Sequence, residues 1–398
     1  MKVVHIITRL ILGGAQENTL LTVDDQQHLW RDDVTLITGP AIGPEGSLIE
    51  RAHARQLDLR IVPELRREIH PGRDWRSYRR IVELLREIGP QIVHTHSSKA
   101  GILGRAAAHR LGMPVVHTIH GSPFHPFQSQ FVYEVYRQAE KWAAKRCDRL
   151  ISVCDAMTDQ YVAAGIAPRD KFTTVYSGMD VEPFLNSSRP RADVRRQLGF
   201  SPEQIVIGKV ARLFELKGHA DVIEAARRVV AQNDKVRFLF VGDGLLRNQL
   251  EQLIAHAGLS EKIVFTGLVP PARVPELIAA MDIVVHASLR EGLARVLPQG
   301  LIAGKPVVSY DVDGAREVVL PNETGFLLPP RSIDGMASAL LQLAGDPDMR
   351  QRFGATGREK FTDRFRHETM TKHLREIYED VLTARTGNIP SKTQPSEP

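Results

Sequence analysis

Two short runs of this 398-residue chain combine fixed charge with glycine in a way that suits a phosphorylated ligand. In Arg212-Leu213-Phe214-Glu215-Leu216-Lys217-Gly218, two cations stand five residues apart, directly after the β-branched run Ile205 to Val210. At the carboxyl end of a parallel strand, where open α/β sheets bind ligands, such a pair can grip a diphosphate from two sides. Cations aimed at a leaving group that gains negative charge favour the transition state over the ground state. An arginine and a lysine beside a turn are also ordinary surface charges. The second run, Glu291-Gly292-Leu293-Ala294, follows the strand-like Ile283 to Ser288. A carboxylate there can accept hydrogen bonds from sugar hydroxyls and so fix a reacting carbon, and Gly292 can turn its N–H towards a ligand oxygen. An N-cap for the following helix is the structural alternative for Glu291.

Other candidates lie in the first half. Gly13-Gly14 follows the first apolar run and precedes a helical pattern near Ala15-Gln16-Glu17. Glycines let a backbone approach a ligand, and a helix start offers free N–H groups to an anion, though a tight turn fits the pair equally well. The fingerprint Gly-x-Gly-x-x-Gly is missing, which argues against an NAD-binding domain. His94-Thr95-His96-Ser97-Ser98-Lys99 and His117-Thr118-Ile119-His120-Gly121 end two adjacent predicted strands. His-x-His puts two imidazoles on one strand face with no matching carboxylate motif, so no metal is expected. Ser97, Ser98 and Lys99 are placed to meet an acceptor or a phosphate.

The elements that must position these residues alternate. Val3 to Ile7, Val34 to Ile37, Leu59 to Val62, Ile92 to His94, Val115 to Ile119, Leu150 to Val153 and Phe172 to Val175 read as strands. Helical spacing lies between most of them, as in Tyr78, Ile81, Val82, Leu85 and Ile88. Such alternation predicts α/β folding with a parallel sheet covered on both faces. The prolines and polar residues from Val181 to Pro190 read as a linker, and a second series follows: Ile205 to Val210, Arg237 to Val241, Ile263 to Phe265, Ile283 to Val285 and Pro306 to Ser309. Two doubly wound domains are expected, at 1–185 and 186–363, then a helix over 364–384 and a disordered tail over 385–398.

Apolar residues at 42% and charged residues at 25% fit a soluble globular chain, and no run approaches the roughly 20 apolar residues of a membrane span. The N-terminus lacks the core of a signal peptide, and Cys147 and Cys154 suit neither a zinc site nor a redox pair, so a reducing cytoplasm is expected. A net charge of +5, shared between the halves, leaves no nucleic-acid footprint. One basic run is denser: Arg66, Arg67, Arg73, Arg76, Arg79 and Arg80 against Glu68 and Asp74. It reads either as a solvated face or as an attractor of anionic headgroups or an anionic acceptor.

Taken together, Arg212 to Gly218, Glu291 to Gln299, Gly304-Lys305-Pro306-Val307-Val308-Ser309, Gly13-Gly14 and the histidine runs resemble the family 4 glycosyltransferases over nearly the whole chain. The resemblance implies the GT-B architecture, two Rossmann-like domains facing across a cleft, with the acceptor in the first and the nucleotide-sugar in the second. It implies donor binding by Gly13, Gly14, Arg212, Lys217, Glu291, Gly292, Leu293, Ala294 and Gln299. Catalytic roles fall to His120, Arg212, Lys217 and Glu291, and acceptor contacts to Ser97, Lys99 and His120. Val241 to Gly244 and Asp313 to Val318 are given no chemistry. Gln299 departs from the family's second Glu, which contacts ribose hydroxyls, and Ala294 and Arg295 depart from a glycine and an aliphatic residue.

The implied activity is a retaining transfer of a sugar from a UDP- or GDP-linked donor to a saccharide or lipid-linked hydroxyl. It serves cell-surface polysaccharide or glycolipid synthesis, without a metal or other cofactor, in the cytoplasm or at an anionic inner-membrane surface. The alternatives are a nucleotide-sugar-binding protein that no longer transfers, an epimerase on the same fold, and, most remotely, an NAD enzyme.

Overall fold

A computed structural model describes residues 1–43 and 46–387 of the chain. It divides into two compact units, one formed by Met1–Met179 together with the chain from His367 onward, the other by Asp180–Arg366.

The first unit is built on a seven-stranded parallel sheet in the order β3-β2-β1-β4-β5-β6-β7. The strands are β1 (Lys2–Ile7), β2 (Asp33–Thr38), β3 (Asp58–Ile61), β4 (Ile92–His96), β5 (Val115–Ile119), β6 (Arg149–Ser152) and β7 (Phe172–Thr174). Central strands are buried on both faces, which is why Val3 to Ile7 shows no polar alternation and is broken only by His5, itself buried. The helix Pro71–Ile88 carries the predicted stripe: Ile81, Val82 and Leu85 enter the core and Tyr78 and Ile88 pack against it. Proline at its first turn, a His70 side chain accepting from the Arg73 N–H, and Gly89 in the left-handed region after its last residue explain its limits.

The helix His367–Thr386 belongs to this unit, with Met370, Leu374, Ile377, Tyr378 and Val381 in the same core as Leu20 and Val23. Arg375 pairs with Asp32 at 2.9 Å, and Arg385 with Asp148 at 2.8 Å. The helix continues through Arg385 and Thr386, where the tail was expected to begin; the remainder of that tail, 388–398, lies outside the described residues.

The second unit has a six-stranded parallel sheet in the order β10-β9-β8-β11-β12-β13. Its strands are β8 (Ile205–Val210), β9 (Val236–Val241), β10 (Ile263–Phe265), β11 (Ile283–His286), β12 (Val307–Tyr310) and β13 (Gly325–Leu328). Strand β13 was not anticipated, because only three residues separate its glycine from the prolines beyond; a Cβ on Gly325 would fall 1.8 Å from the Val307 carbonyl oxygen. The expected linker is also folded. Glu182–Leu185 is a helical turn, Ser188 Oγ donates to Glu276 Oε1 at 2.8 Å, and Arg191 pairs with Asp282 at 2.7 Å. Among the described residues no helix is long and apolar enough to cross a membrane.

Candidate active site

In the second unit the candidate residues gather where β8 and β11 end. The turn after β8 holds Leu216 at φ 63° and Gly218 at φ 66°, both in the left-handed region. Gly218 is sterically required, since a Cβ there would lie 1.9 Å from the Ala287 carbonyl oxygen. Leu216 pays for its strained backbone with the bond its carbonyl accepts from the Leu289 N–H, 2.8 Å long. These two contacts press the turn against the end of β11 and bring Lys217 to Glu291: Lys217 Nζ donates to Glu291 Oε1 at 2.5 Å. Arg212 stays exposed, its guanidinium 4.9 Å from the Phe214 ring centre, and it forms no ion pair among the described residues. Gly242 and Gly244 support the turn from the side, where a Cβ would collide with the carbonyls of Ala211 and Leu213.

Glu291 does not cap the next helix, which begins at Val296 with Arg295 at its cap position. Its backbone N–H instead donates to Asp313 Oδ2 at 2.6 Å, and the Gly314 N–H donates to the Gly292 carbonyl at 3.0 Å. Asp313, which had been given no chemistry, thus holds the Glu291 loop; lying after a different strand, it left no local signal. His286 stands beneath, with Nε2 3.5 Å from Glu291 Oε1 and Nδ1 3.3 Å from Ser309 Oγ. Burial pushes the Glu291 carboxyl up, but His286 and Lys217 outweigh it and hold the group well below the usual carboxylate range. Burial lowers His286, with Glu291 pulling the other way. A further cation was missed because it reads as part of a strand: Lys209 of β8 is 1% exposed, its amine has no hydrogen-bond partner among the described residues, and burial pushes its pKa down to about 7. Ala294 is buried, Leu293 is half-buried, and the half-buried Gln299 lies on the helix Val296–Ile302 with no side-chain hydrogen bond among the described residues.

In the first unit, His5 lies opposite His94 in the sheet register, a neighbour no spacing rule would reveal. His5 Nε2 is 2.8 Å from Gln26 Oε1, His5 Nδ1 is 3.0 Å from His96 Nε2, and His96 Nδ1 is 3.1 Å from His120 Nε2. A carbonyl oxygen only accepts, so His5 carries its proton on Nε2, His96 donates from Nε2 to His5, and His120 donates from Nε2 to His96. His120 therefore ends the chain with an Nδ1 lone pair. Burial draws His5 and His120 down to about 4 and His94 and His96 well below their ordinary value, so the chain is neutral at pH 7. His94 is held separately, Nδ1 to Tyr378 OH at 2.5 Å and Nε2 to Thr118 Oγ1 at 2.7 Å. Donor atoms of His5, His94 and His96 lie within 4.8 Å of one another, close enough for a metal, but each ring nitrogen already has a partner.

Ser97 sits at φ 59° with its Oγ 2.7 Å from Thr8 Oγ1. Lys99 is already engaged, donating to Asp74 Oδ1 at 2.7 Å and to the Glu68 carbonyl. Gly13 is extended at φ 172°, a conformation open to any residue, and starts the helix Gly14–His28; only the Gln16 side chain fills the space where its Cβ would be.

Residues 190–360 match the family model of glycosyl transferases group 1, and residues 26–183 match that of Glycosyltransferase Family 4. The chain is 30% identical over 391 residues to a UDP-Gal:alpha-D-GlcNAc-diphosphoundecaprenol alpha-1,3-galactosyltransferase of Escherichia coli, covering 96% of this chain and 97% of that one. A GDP-mannose-dependent alpha-mannosyltransferase of Mycobacterium tuberculosis is 31% identical over 257 residues, 63% of each chain. Among solved structures, Anabaena HepE in complex with UDP-glucose superposes with a TM-score of 0.80 at 22% identity, over 96% of this chain and 100% of that one. Two tandem Rossmann-like sheets, the matches to both halves and a relative aligned end to end establish that this chain belongs to the family 4 glycosyltransferases of GT-B fold and is a glycosyltransferase.

Proposed function

We propose that the enzyme moves a hexosyl group from a UDP-linked donor to a hydroxyl of a lipid-linked saccharide, with retention at the anomeric carbon. The observation that carries this reading is the Lys217–Glu291 pair beside an Arg212 that forms no ion pair, all at the carboxyl ends of β8 and β11. An incoming diphosphate offers Lys217 and Arg212 a stronger anion than Glu291. Lys217 then turns to phosphate, and the freed carboxylate accepts hydrogen bonds from sugar hydroxyls. Gln299 takes the ribose hydroxyls through neutral hydrogen bonds, and Gly292, Leu293 and Ala294 present backbone to the donor. His120, neutral and with a lone pair left on Nδ1, accepts a hydrogen bond from a sugar hydroxyl, while Gly13, Gly14 and Ser97 border the reacting groups.

In the transfer step the bond between the anomeric carbon and the diphosphate oxygen breaks as the acceptor oxygen bonds to the same face. The acceptor proton passes to the departing phosphate oxygen. Arg212 and Lys217 stabilise the charge that develops there, an effect worth about 3 kcal/mol for one such group. UDP is the favoured carrier because the relative matched end to end is named for UDP-Gal, and a lipid-linked acceptor is favoured for the same reason. Docking of the first unit at an anionic cytoplasmic membrane face is part of this reading. It is supported by the exposed Arg76, Arg79 and Arg80 of the Arg66 to Arg80 run, near Ile69 and Trp75, which are 73% and 58% exposed.

The test is thermal shift against UDP, GDP, ADP, CMP and NAD, for the wild type and Arg212→Ala, followed by NMR of the product's anomeric centre. A ligand at a hundredfold excess over its Kd adds about 2.7 kcal/mol, a shift of a few degrees. Stabilisation by UDP alone, abolished by Arg212→Ala, is expected; stabilisation by none of the five would reject the donor assignment. Liposome pelleting that is equal with and without anionic lipid would reject the membrane component.

A further inference from the structure

At the carboxyl edge of the first unit's sheet, the loops after β1, β2 and β3 and the start of the helix Pro71–Ile88 enclose a cavity of about 250 Å³. Arg9, Arg66, Arg67 and Arg73 all line it, and Glu68 is the one acidic residue among the described lining residues. Among the described residues none of the four arginines forms an ion pair, although arginines elsewhere do, as in Arg105 with Glu140 and Arg375 with Asp32. Arg9 Nη1 donates to the Ile42 carbonyl at 2.8 Å, and Arg66 Nε to the Pro63 carbonyl at 3.2 Å. The Nε of Arg73 is buried with no hydrogen-bond partner among the described residues. The nearby carboxylate, Asp74, is taken by Lys99 and by the His70 N–H.

Four like charges around one concavity repel one another unless an anion sits among them, and low-dielectric walls focus their field into it. Guanidinium forks match phosphate oxygens two at a time. At ~30 Å³ per water the space holds about eight waters, room enough for a diphosphate. The cavity also adjoins the residues assigned to the acceptor. Arg9 follows Thr8, whose hydroxyl is 2.7 Å from Ser97 Oγ, and the Glu68 carbonyl accepts from Lys99.

We propose that this cavity binds the diphosphate of a lipid-linked acceptor, so that Arg9, Arg66, Arg67 and Arg73 select acceptors carrying a diphosphate next to the sugar. The proposal rests on the reading of the protein as a transferase acting on such acceptors. The remaining arginines of the run, Arg76, Arg79 and Arg80, are exposed on the helix and take no part.

The test is calorimetric titration of inorganic pyrophosphate into the full chain carrying Arg212→Ala and Lys217→Ala, which removes the donor clamp. One site is expected, weakened about a hundredfold when Arg66→Gln and Arg73→Gln are added, since each lost charge-assisted contact is worth roughly tenfold. Absence of that site, or its persistence with all four substitutions, would overturn the proposal. In a second arm, Arg66→Gln/Arg73→Gln is pelleted with phosphatidylcholine vesicles with and without phosphatidylglycerol. Unchanged pelleting is expected; lost pelleting with intact pyrophosphate binding would assign the arginines to the bilayer and overturn the proposal. UDP binding by the same variant, expected to match the wild type, reports that the chain is folded. Failure of the wild type to bind UDP would count against the donor reading and leave the pyrophosphate result legible.

Discussion

Lys217 Nζ lies 2.5 Å from Glu291 Oε1, so the cation expected to hold phosphate and the carboxylate expected to hold sugar hydroxyls neutralise each other. Both side chains are 21% exposed, and the pair is therefore open to exchange by a stronger anion. Glu291→Gln should release Lys217 and tighten UDP binding several-fold while lowering kcat by about a hundredfold or more. Lys217→Ala should weaken UDP and kcat together. Titration of UDP with steady-state kinetics checks both, and weaker UDP binding by Glu291→Gln would contradict the exchange.

Gln299 has no side-chain hydrogen bond among the described residues and is free for a ligand. Charge-assisted hydrogen bonds exceed neutral ones by about 1 kcal/mol, so Gln299→Glu should lower the donor Kd several-fold. The expected kinetic signature is a lower KM with kcat little changed. A change in kcat alone would remove Gln299 from donor binding.

The buried histidines set an acid limit. His5 and His120 have folded values of about 4 against an ordinary 6.5, so the unfolded chain binds more protons between those limits. Stability is therefore intact above pH 6.5 and falls as pH drops towards 4, by about 1.4 kcal/mol per pH unit for each such group. His94 and His96, lowered in the same direction, extend the loss to lower pH. Urea midpoints from pH 8 to pH 4.5 should decline steeply below 6.5, and a flat profile would exclude neutral buried imidazoles.

The Gln26 carbonyl sets the polarity of the chain from His5 through His96 to His120. Gln26→Met leaves the His5 Nε2–H without an acceptor and should cost about 1–3 kcal/mol of stability. In nitrogen-15 NMR, His120 should change from one tautomer, protonated on Nε2, to a mixture. An unchanged His120 spectrum would show that its tautomer is set elsewhere.

Lys209 is buried without a hydrogen-bond partner among the described residues and has a folded pKa of about 7, lowered from 10.5. Its destabilising effect is small near pH 10.5, grows as pH falls, and is complete below about 7. Lys209→Met should therefore stabilise the chain, and by more at pH 7 than at pH 10. Denaturant unfolding at the two values checks the sign; a larger gain at pH 10 would rule out the buried amine as the cause.

Much of the architecture was legible in local patterns. Central strands lack polar alternation because both faces are covered, Ile283 to Val285 being wholly apolar and Val3 to Ile7 broken only by the buried His5, and the stripe from Tyr78 to Ile88 has one helical period because one face is covered. Strand β13 and the folding of Val181 to Pro190 were not legible. The first is short and packed by a glycine, and the second is held by contacts to Glu276 and Asp282, far along the chain.

The site divides in the same way. Sequence alone determined which residues stand at strand ends: Arg212 and Lys217 after β8, Glu291 after β11, Ser97 after β4 and His120 after β5. Residue type and position after a strand are local properties, and a parallel sheet turns them into a common edge. Only the tertiary structure decided who faces whom. It paired Lys217 with Glu291, set Asp313 under the Glu291 backbone, aligned His5 with His94 and His96, and gathered Arg9 with Arg66, Arg67 and Arg73 around one cavity. Strand order and crossover connections set those contacts, and they join residues whose separation along the chain carries no local trace of the meeting.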